Sequence, residues 1–243
     1  AESRINAALG EGYWSDHFTY VLDLLESYEG IYPDNINDLL YNDASFLFFE
    51  SPVSVRPKIE KSVITKDNQV RQYGSLYHYD EEKIKALNLN PHGANWAKVN
   101  NEEYKTTLFV KLLSLTMNKH SLLDPDGFGV EMEGDKPGWN DAMNGVPGLF
   151  GSGVSETIET LRIVEYLLAH QQQGTVTLPK EMVTLYQALA KETHYNDRLS
   201  AREQYREAIR FGLSGEDETV KLEAIFNYLK SLQKTLQEGL RTL

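Results

Sequence analysis

The stretch Glu216–Leu243, EDETVKLEAIFNYLKSLQKTLQEGLRTL, decides the fold class. Leu222, Phe226, Leu229, Leu232, Leu236, Leu240 and Leu243 recur at spacings of three or four, the repeat of one face of an α-helix. Such a stripe is read as a helix over 216–243 that lays one face on a core, with a coiled-coil seam as the alternative.

Working back from it, helical spacing and end signals predict further helices at Ser200–Phe211, Pro179–Thr193 and Ser155–Gln172. Glu102–Lys119 reads as a long helix, with Tyr104, Leu108, Leu112, Leu115 and Met117 building most of one face. Asp80–Leu87 and Asp34–Tyr41 are shorter candidates. Tyr13–Glu29 places Phe18, Leu22, Leu25 and Tyr28 near helical spacing and stops at Gly30 and Pro33.

Two stretches break the helical pattern. Lys58–Thr65 and Val70–Tyr77 carry β-branched and aromatic residues about Lys66-Asp67-Asn68-Gln69 and read as a β-hairpin. Ala44–Val55 is apolar and aromatic without a clean period, so it is expected to be irregular or extended. The expectation is a mainly α chain with one hairpin excursion near 58–77. Antiparallel helices joined by loops of unequal length suggest a barrel or bundle, with a site where the long loops gather. Residues 1–243 form one segment, without internal repeat or low-complexity linker.

Composition narrows the function classes. With 41% hydrophobic residues the chain can bury a sizeable core. A net charge of −12 repels phosphate backbones and anionic lipid, which argues against nucleic-acid and membrane-surface roles. There is no cysteine, hence no disulfide, thiolate nucleophile or zinc–thiolate site. No apolar run reaches transmembrane length, and AESRINAALGEGYW lacks a basic region followed by a hydrophobic one. The expected compartment is the cytoplasm.

The richest chemistry lies in Gly134-Asp135-Lys136-Pro137-Gly138-Trp139-Asn140-Asp141-Ala142-Met143-Asn144-Gly145, inside a long loop from His120 to Gly153. Long loops without regular structure of their own are often functional. An indole, an amide and a carboxyl stand in consecutive positions here. Carbohydrate sites need that set: an aromatic face stacks on the sugar ring, an amide reads hydroxyls, and a carboxyl protonates the glycosidic oxygen. Asp141 is therefore the candidate general acid, with Trp139 as platform and Asn140 as hydroxyl reader. In purely structural terms Asp141 caps a turn, Trp139 plugs a core and Asn140 shapes the loop. A general acid at neutral pH needs a raised pKa, which Glu131, Glu133 and Asp135 could supply as negative neighbours and Trp139 as a dry wall.

Tyr13-Trp14-Ser15-Asp16-His17-Phe18 is a second cluster, at a helix start. Asp16 either caps orphan N–H groups there or binds sugar hydroxyls, two of which one carboxylate can accept. The six histidines are scattered without metal-ligand spacing, so no metal site is expected. Gly148-Leu149-Phe150-Gly151-Ser152-Gly153 precedes a helix but lacks the Lys-Ser/Thr of a P-loop. Ser152 and Ser155 have no evident histidine partner for nucleophilic work.

The Gly134–Asn144 run resembles the signature of cellobiose phosphorylase and its relatives, the inverting β-glucan phosphorylases, in which a GDWNDGMN-like loop carries the catalytic aspartate. Lys136-Pro137-Gly138 is inserted before Trp139, and Ala142 stands where the signature has glycine. The continuation Val146-Pro147-Gly148-Leu149-Phe150-Gly151-Ser152 is similar to a divergent branch of large cellobiose phosphorylase-like proteins. Trp14-Ser15-Asp16-His17 looks like the family's sugar-binding segment, which makes Trp14 and Asp16 substrate-binding candidates beside Trp139 and Asn140.

The resemblance implies an (α/α)6 barrel of which this chain is part, half or more, so that it needs the rest of its barrel or another chain. It implies that a protonated Asp141 donates to the oxygen between two glucosyl units while inorganic phosphate, as co-substrate, attacks the anomeric carbon from the opposite face. The products are an α-sugar 1-phosphate and a shortened β-linked glucose oligosaccharide, with no other cofactor. The family's phosphate-binding residues mostly follow the aspartate loop and find no match before Leu243. The alternatives are an inverting hydrolase and a non-catalytic sugar-binding or assembly fragment. A hydrolase needs a second carboxylate about 6.5–9.5 Å from the acid, and Glu131, Glu133 and Asp16 are its candidates.

Overall fold

A computed structural model describes residues 15–72, 76–77, 79–131, 152–191 and 194–242. Among these residues there are eight α-helices, α1 (Ser15–Ile31), α2 (Ile36–Tyr41), α3 (Glu81–Leu87), α4 (Leu108–Ser121), α5 (Val154–Ala169), α6 (Lys180–Lys191), α7 (Tyr195–Ile209) and α8 (Leu222–Arg241). The described part is mainly helical, with short antiparallel strand pairs between the helices.

The stripe that decided the fold class does what its spacing implies. Leu222, Phe226, Leu229, Leu232 and Leu236 of α8 are all buried, and Ile225 between them is buried too. This face packs on α5, which in turn touches α1 and α4. Helix α4 is the hub, with α2, α5, α6 and α7 all packed on it. Its Phe109 is fully buried, with ring centroids 4.8 Å from Tyr41 of α2 and 5.9 Å from Phe226 of α8. Burying a side chain of this size contributes about 1.5–3 kcal/mol. One such ring ties three helices together.

Several boundaries differ from the sequence expectation. Helix α4 starts at Leu108 and not at Glu102, because Thr107 is its N-cap and accepts a hydrogen bond from the Val110 N–H at 3.4 Å. Glu102–Glu103 pairs instead with Lys98–Val99, and Lys105–Thr106 with Phe46–Leu47. Tyr104 thus leaves the helix face and donates its hydroxyl proton to Asp217 at 2.8 Å. Helix α8 starts at Leu222 and not at Glu216. Residues Asp217–Lys221 form a strand whose β-branched Thr219 and Val220 lie opposite Thr177 and Val176 of Thr175–Pro179.

The single hairpin excursion expected near 58–77 is also corrected. Its tip is present, as Ser62–Ile64 paired with Val70–Gln72 and a left-handed Asn68. Pro57, however, leads into a single 3-10 turn at Lys58–Glu60. Leu76–Tyr77 is taken by Ser54–Val55, which gives Ala44–Val55 two strand pairings. Among the described residues there are six such two-stranded pairs.

Candidate functional site

The residues richest in chemistry, Trp139, Asn140 and Asp141, lie outside the described residues, as does Trp14; Asp16 falls in the first turn of α1. What the structure describes is the root from which the segment 132–151 leaves and to which it returns. Val130–Glu131 runs antiparallel to Ser152–Gly153, with Glu131 opposite Ser152 and Val130 opposite Gly153. Glu131 also donates its backbone N–H to Leu122 O at 2.7 Å, so the outgoing end is tied to the end of α4.

The sequence Leu123-Asp124-Pro125-Asp126-Gly127-Phe128-Gly129 builds the turn beneath that pair. Asp124 is buried, and its Oδ1 accepts the N–H groups of Gly127 at 2.6 Å and Phe128 at 3.2 Å. Its Oδ2 accepts the hydroxyl proton of Ser152 at 2.7 Å. One carboxylate thus closes the outgoing turn and holds the returning strand. Close packing requires glycine twice here. A Cβ on Gly129 would stand 2.4 Å from Ser152 Oγ, and a Cβ on Gly239 of α8 would stand 2.1 Å from the Gly127 carbonyl oxygen.

Helix α7 supplies the charge. Arg198 and Arg202, one turn apart, are both buried and both reach the carboxyl end of α4. Arg198 donates to the carbonyl oxygens of Leu123 at 3.1 Å and Asp124 at 3.2 Å, and Arg202 to that of Ser121 at 3.3 Å. Cations belong at this end of a helix, where unpaired carbonyls concentrate partial negative charge. Arg202 also pairs with Glu131 Oε2 at 3.4 Å, while Tyr195 donates its hydroxyl proton to Glu131 Oε1 and accepts one from Lys58 Nζ. Burial, reinforced by the bond to Glu131, pushes the Tyr195 hydroxyl above its ordinary pKa and keeps it a donor. Each oxygen of Glu131 thus has a partner from α7.

Behind the arginines, His120 Nδ1 lies 2.9 Å from the Tyr228 hydroxyl of α8. Burial, with the Arg198 charge nearby, pulls the His120 pKa down to about 3. The ring is neutral at any working pH. It serves as a buried hydrogen-bonding partner.

Sequence reasoning did not single out Asp124, Arg198, Arg202, Tyr195 or Lys58. A signal was present for the arginines: α7 has a thin apolar face, and Arg198 and Arg202 stand at helical spacing on one side of it. Among the described residues no group of three or more His, Cys, Asp or Glu is placed to hold a metal, and no helix is long and apolar enough to cross a membrane. No family model and no curated protein matches the chain.

Proposed function

We propose that this chain is the acid-bearing segment of a carbohydrate-active enzyme that splits β-glucosidic links with phosphate and inversion. The observation that supports it is the root. Both ends of the segment bearing Trp139-Asn140-Asp141 are held by part-buried, charge-assisted bonds from the Asp124 turn and α7. An acid must be positioned to within a fraction of an ångström to protonate a leaving oxygen, and a rigid root supplies the start of that positioning.

In this reading Asp141 donates a proton to the glycosidic oxygen, and Trp139 and Asn140 hold the sugar beside it, with Trp14 and Asp16 as further binding residues. Phosphate is itself an anionic nucleophile, so no second carboxylate is needed as base. The hydrolytic alternative would use Glu131, Glu133 or Asp16 to activate water. In that alternative Glu131 would have to serve while Tyr195 and Arg202 each hold one of its oxygens.

We further propose that the helices form an arc of an (α/α)6 barrel, completed by other helices of the same or another chain. Tyr20, Leu24 and Ile31 on the outer face of α1 are exposed, at 62%, 72% and 69%. Apolar helix surface left open on this scale is what an incomplete ring presents.

The test is sugar 1-phosphate release from a panel of β-linked gluco-oligosaccharides, with and without inorganic phosphate. It is run on this chain and on any longer polypeptide that contains it. Phosphate-dependent release, abolished by Asp141→Asn in a protein with an unchanged melting temperature, is the expected result. Phosphate-independent release would replace the reading with a hydrolase. Binding through Trp139 without turnover in either protein would replace it with a binding module.

A further inference from the structure

A second feature lies between the strand Ser54–Val55, α3 and α7. There the chain forms a half-open cavity of about 560 Å³ whose walls include Phe48, Phe49 and Tyr205 and whose polar surface includes Lys83 and Glu50. Small-molecule sites commonly span about 300–1,000 Å³. Lys83 Nζ and Glu50 Oε1 are 2.7 Å apart, and their side chains are 8% and 13% exposed.

This ion pair has bonding capacity to spare toward the cavity it lines. An ammonium has three N–H donors, and Glu50 Oε1 is the one acceptor for Lys83 among the described residues. Glu50 Oε2 likewise accepts no proton there. Neither Lys83 Nζ nor a Glu50 oxygen is among the fully buried side-chain atoms without a partner, so solvent reaches the pair from the cavity, and a ligand that displaces it must replace those bonds. The partner that fits must accept from Lys83 and donate to Glu50 at nearly the same place. A hydroxyl does both.

The rest of the lining excludes the charged alternatives. Glu50, Glu60, Glu203 and Glu207 face three cations, Lys83, Arg206 and Arg210. Arg210 is bound to Asp80 and Glu82, and Arg206 lies 4.0 Å from Glu203. With no surplus of positive charge, a phosphate or carboxylate ligand is disfavoured; a cation would meet the Lys83 ammonium. Aromatic walls beside a hydroxyl-binding pair are what a pyranose ring requires, with apolar C–H faces and polar edges.

We infer that this cavity is a binding site for a neutral saccharide unit, held by hydroxyl bonds to the Lys83–Glu50 pair against the Phe48 and Phe49 wall. The inference goes beyond the acid role of Asp141 and does not rest on it, because equilibrium binding here asks nothing of that residue.

The test uses Trp96, whose ring meets Phe49 edge-on with centroids 6.1 Å apart. With Trp14→Phe and Trp139→Phe, Trp96 is the single tryptophan of the full chain. Titration with cellotetraose should change its emission saturably, and Asp141→Asn should leave the dissociation constant unchanged. Replacing the pair together, Lys83→Met with Glu50→Leu, removes the hydroxyl partners without stranding a charge. It should raise the dissociation constant at least about tenfold at an unaltered melting temperature. Phe49→Leu, which spares the ion pair, should weaken binding in the same direction and serves if the double variant melts early. No saturable response to cellotetraose, a response undiminished in these variants, or saturation by inorganic phosphate would each overturn the proposal. Loss of turnover in Asp141→Asn with this binding intact separates the two readings.

Discussion

Two short antiparallel pairs interrupt the helices, and they are held in opposite ways. Ser62–Ile64 with Val70–Gln72 is closed by local bonds, Thr65 N–H to Gln69 O at 2.9 Å and Gln69 N–H to Thr65 Oγ1 at 3.2 Å. Its apolar side chains Ile64 and Val70 face solvent. Val130–Glu131 with Ser152–Gly153 is no longer as a ladder, yet its side chains are bonded to α7 and to the turn at Asp124. A two-stranded pair is marginal by itself in water. The carboxylates Glu131 and Asp124 make the second pair a foundation, and among the bonds of the described residues given above nothing comparable underlies the first.

Arg202→Met strikes that contrast hardest. It leaves Glu131 buried without its cation and should cost about 3–5 kcal/mol in urea unfolding. If it costs no more than a change in the hairpin, the contrast fails. Gly239→Ala comes next, because its methyl group would overlap the Gly127 carbonyl beneath the root. Overpacking of this kind should lower stability by about 1–3 kcal/mol.

The pH profile sharpens the comparison further. His120 in the folded protein titrates at about 3, well below its ordinary 6.5, so the unfolded chain takes up a proton that the native ring refuses. Its contribution is complete above about pH 6.5 and is lost progressively as the pH falls toward about 3. His120→Asn should flatten that part of the stability curve, measured by unfolding at a series of pH values. Smallest of all, Ile64→Thr or Val70→Thr in the exposed hairpin should stay within about 0.5 kcal/mol of the parent.

How much of this was legible in the sequence follows from the range of the interactions. The buried stripe of α8 is a local period, and Leu222 through Leu236 announced it. The strand Asp217–Lys221 was hidden because its partner, Thr175–Pro179, is remote in sequence, and its charged residues continue smoothly into the helix. Tyr104 looked like a helix-face residue by spacing, and only the Thr107 cap moves it to the other side of the boundary. At the root, the sequence shows Glu131 only as a carboxylate ahead of Asp141 and so as a candidate base. Its true partners, Tyr195 and Arg202, come from a helix whose polar residues resemble a solvated face. The candidate hydroxyl-binding set Trp139-Asn140-Asp141 is legible as composition, whereas the anchoring of Val130–Glu131 and Ser152–Gly153 needs the fold.

The most direct test of the central claim is the anomeric outcome with phosphate. Phosphorus-31 and proton NMR of a β-linked gluco-oligosaccharide, inorganic phosphate and a polypeptide containing this chain should show the α-anomer of a sugar 1-phosphate, and none with Asp141→Asn. Appearance of the β-anomer, or of free reducing sugar at a rate indifferent to phosphate, would contradict direct displacement assisted by Asp141.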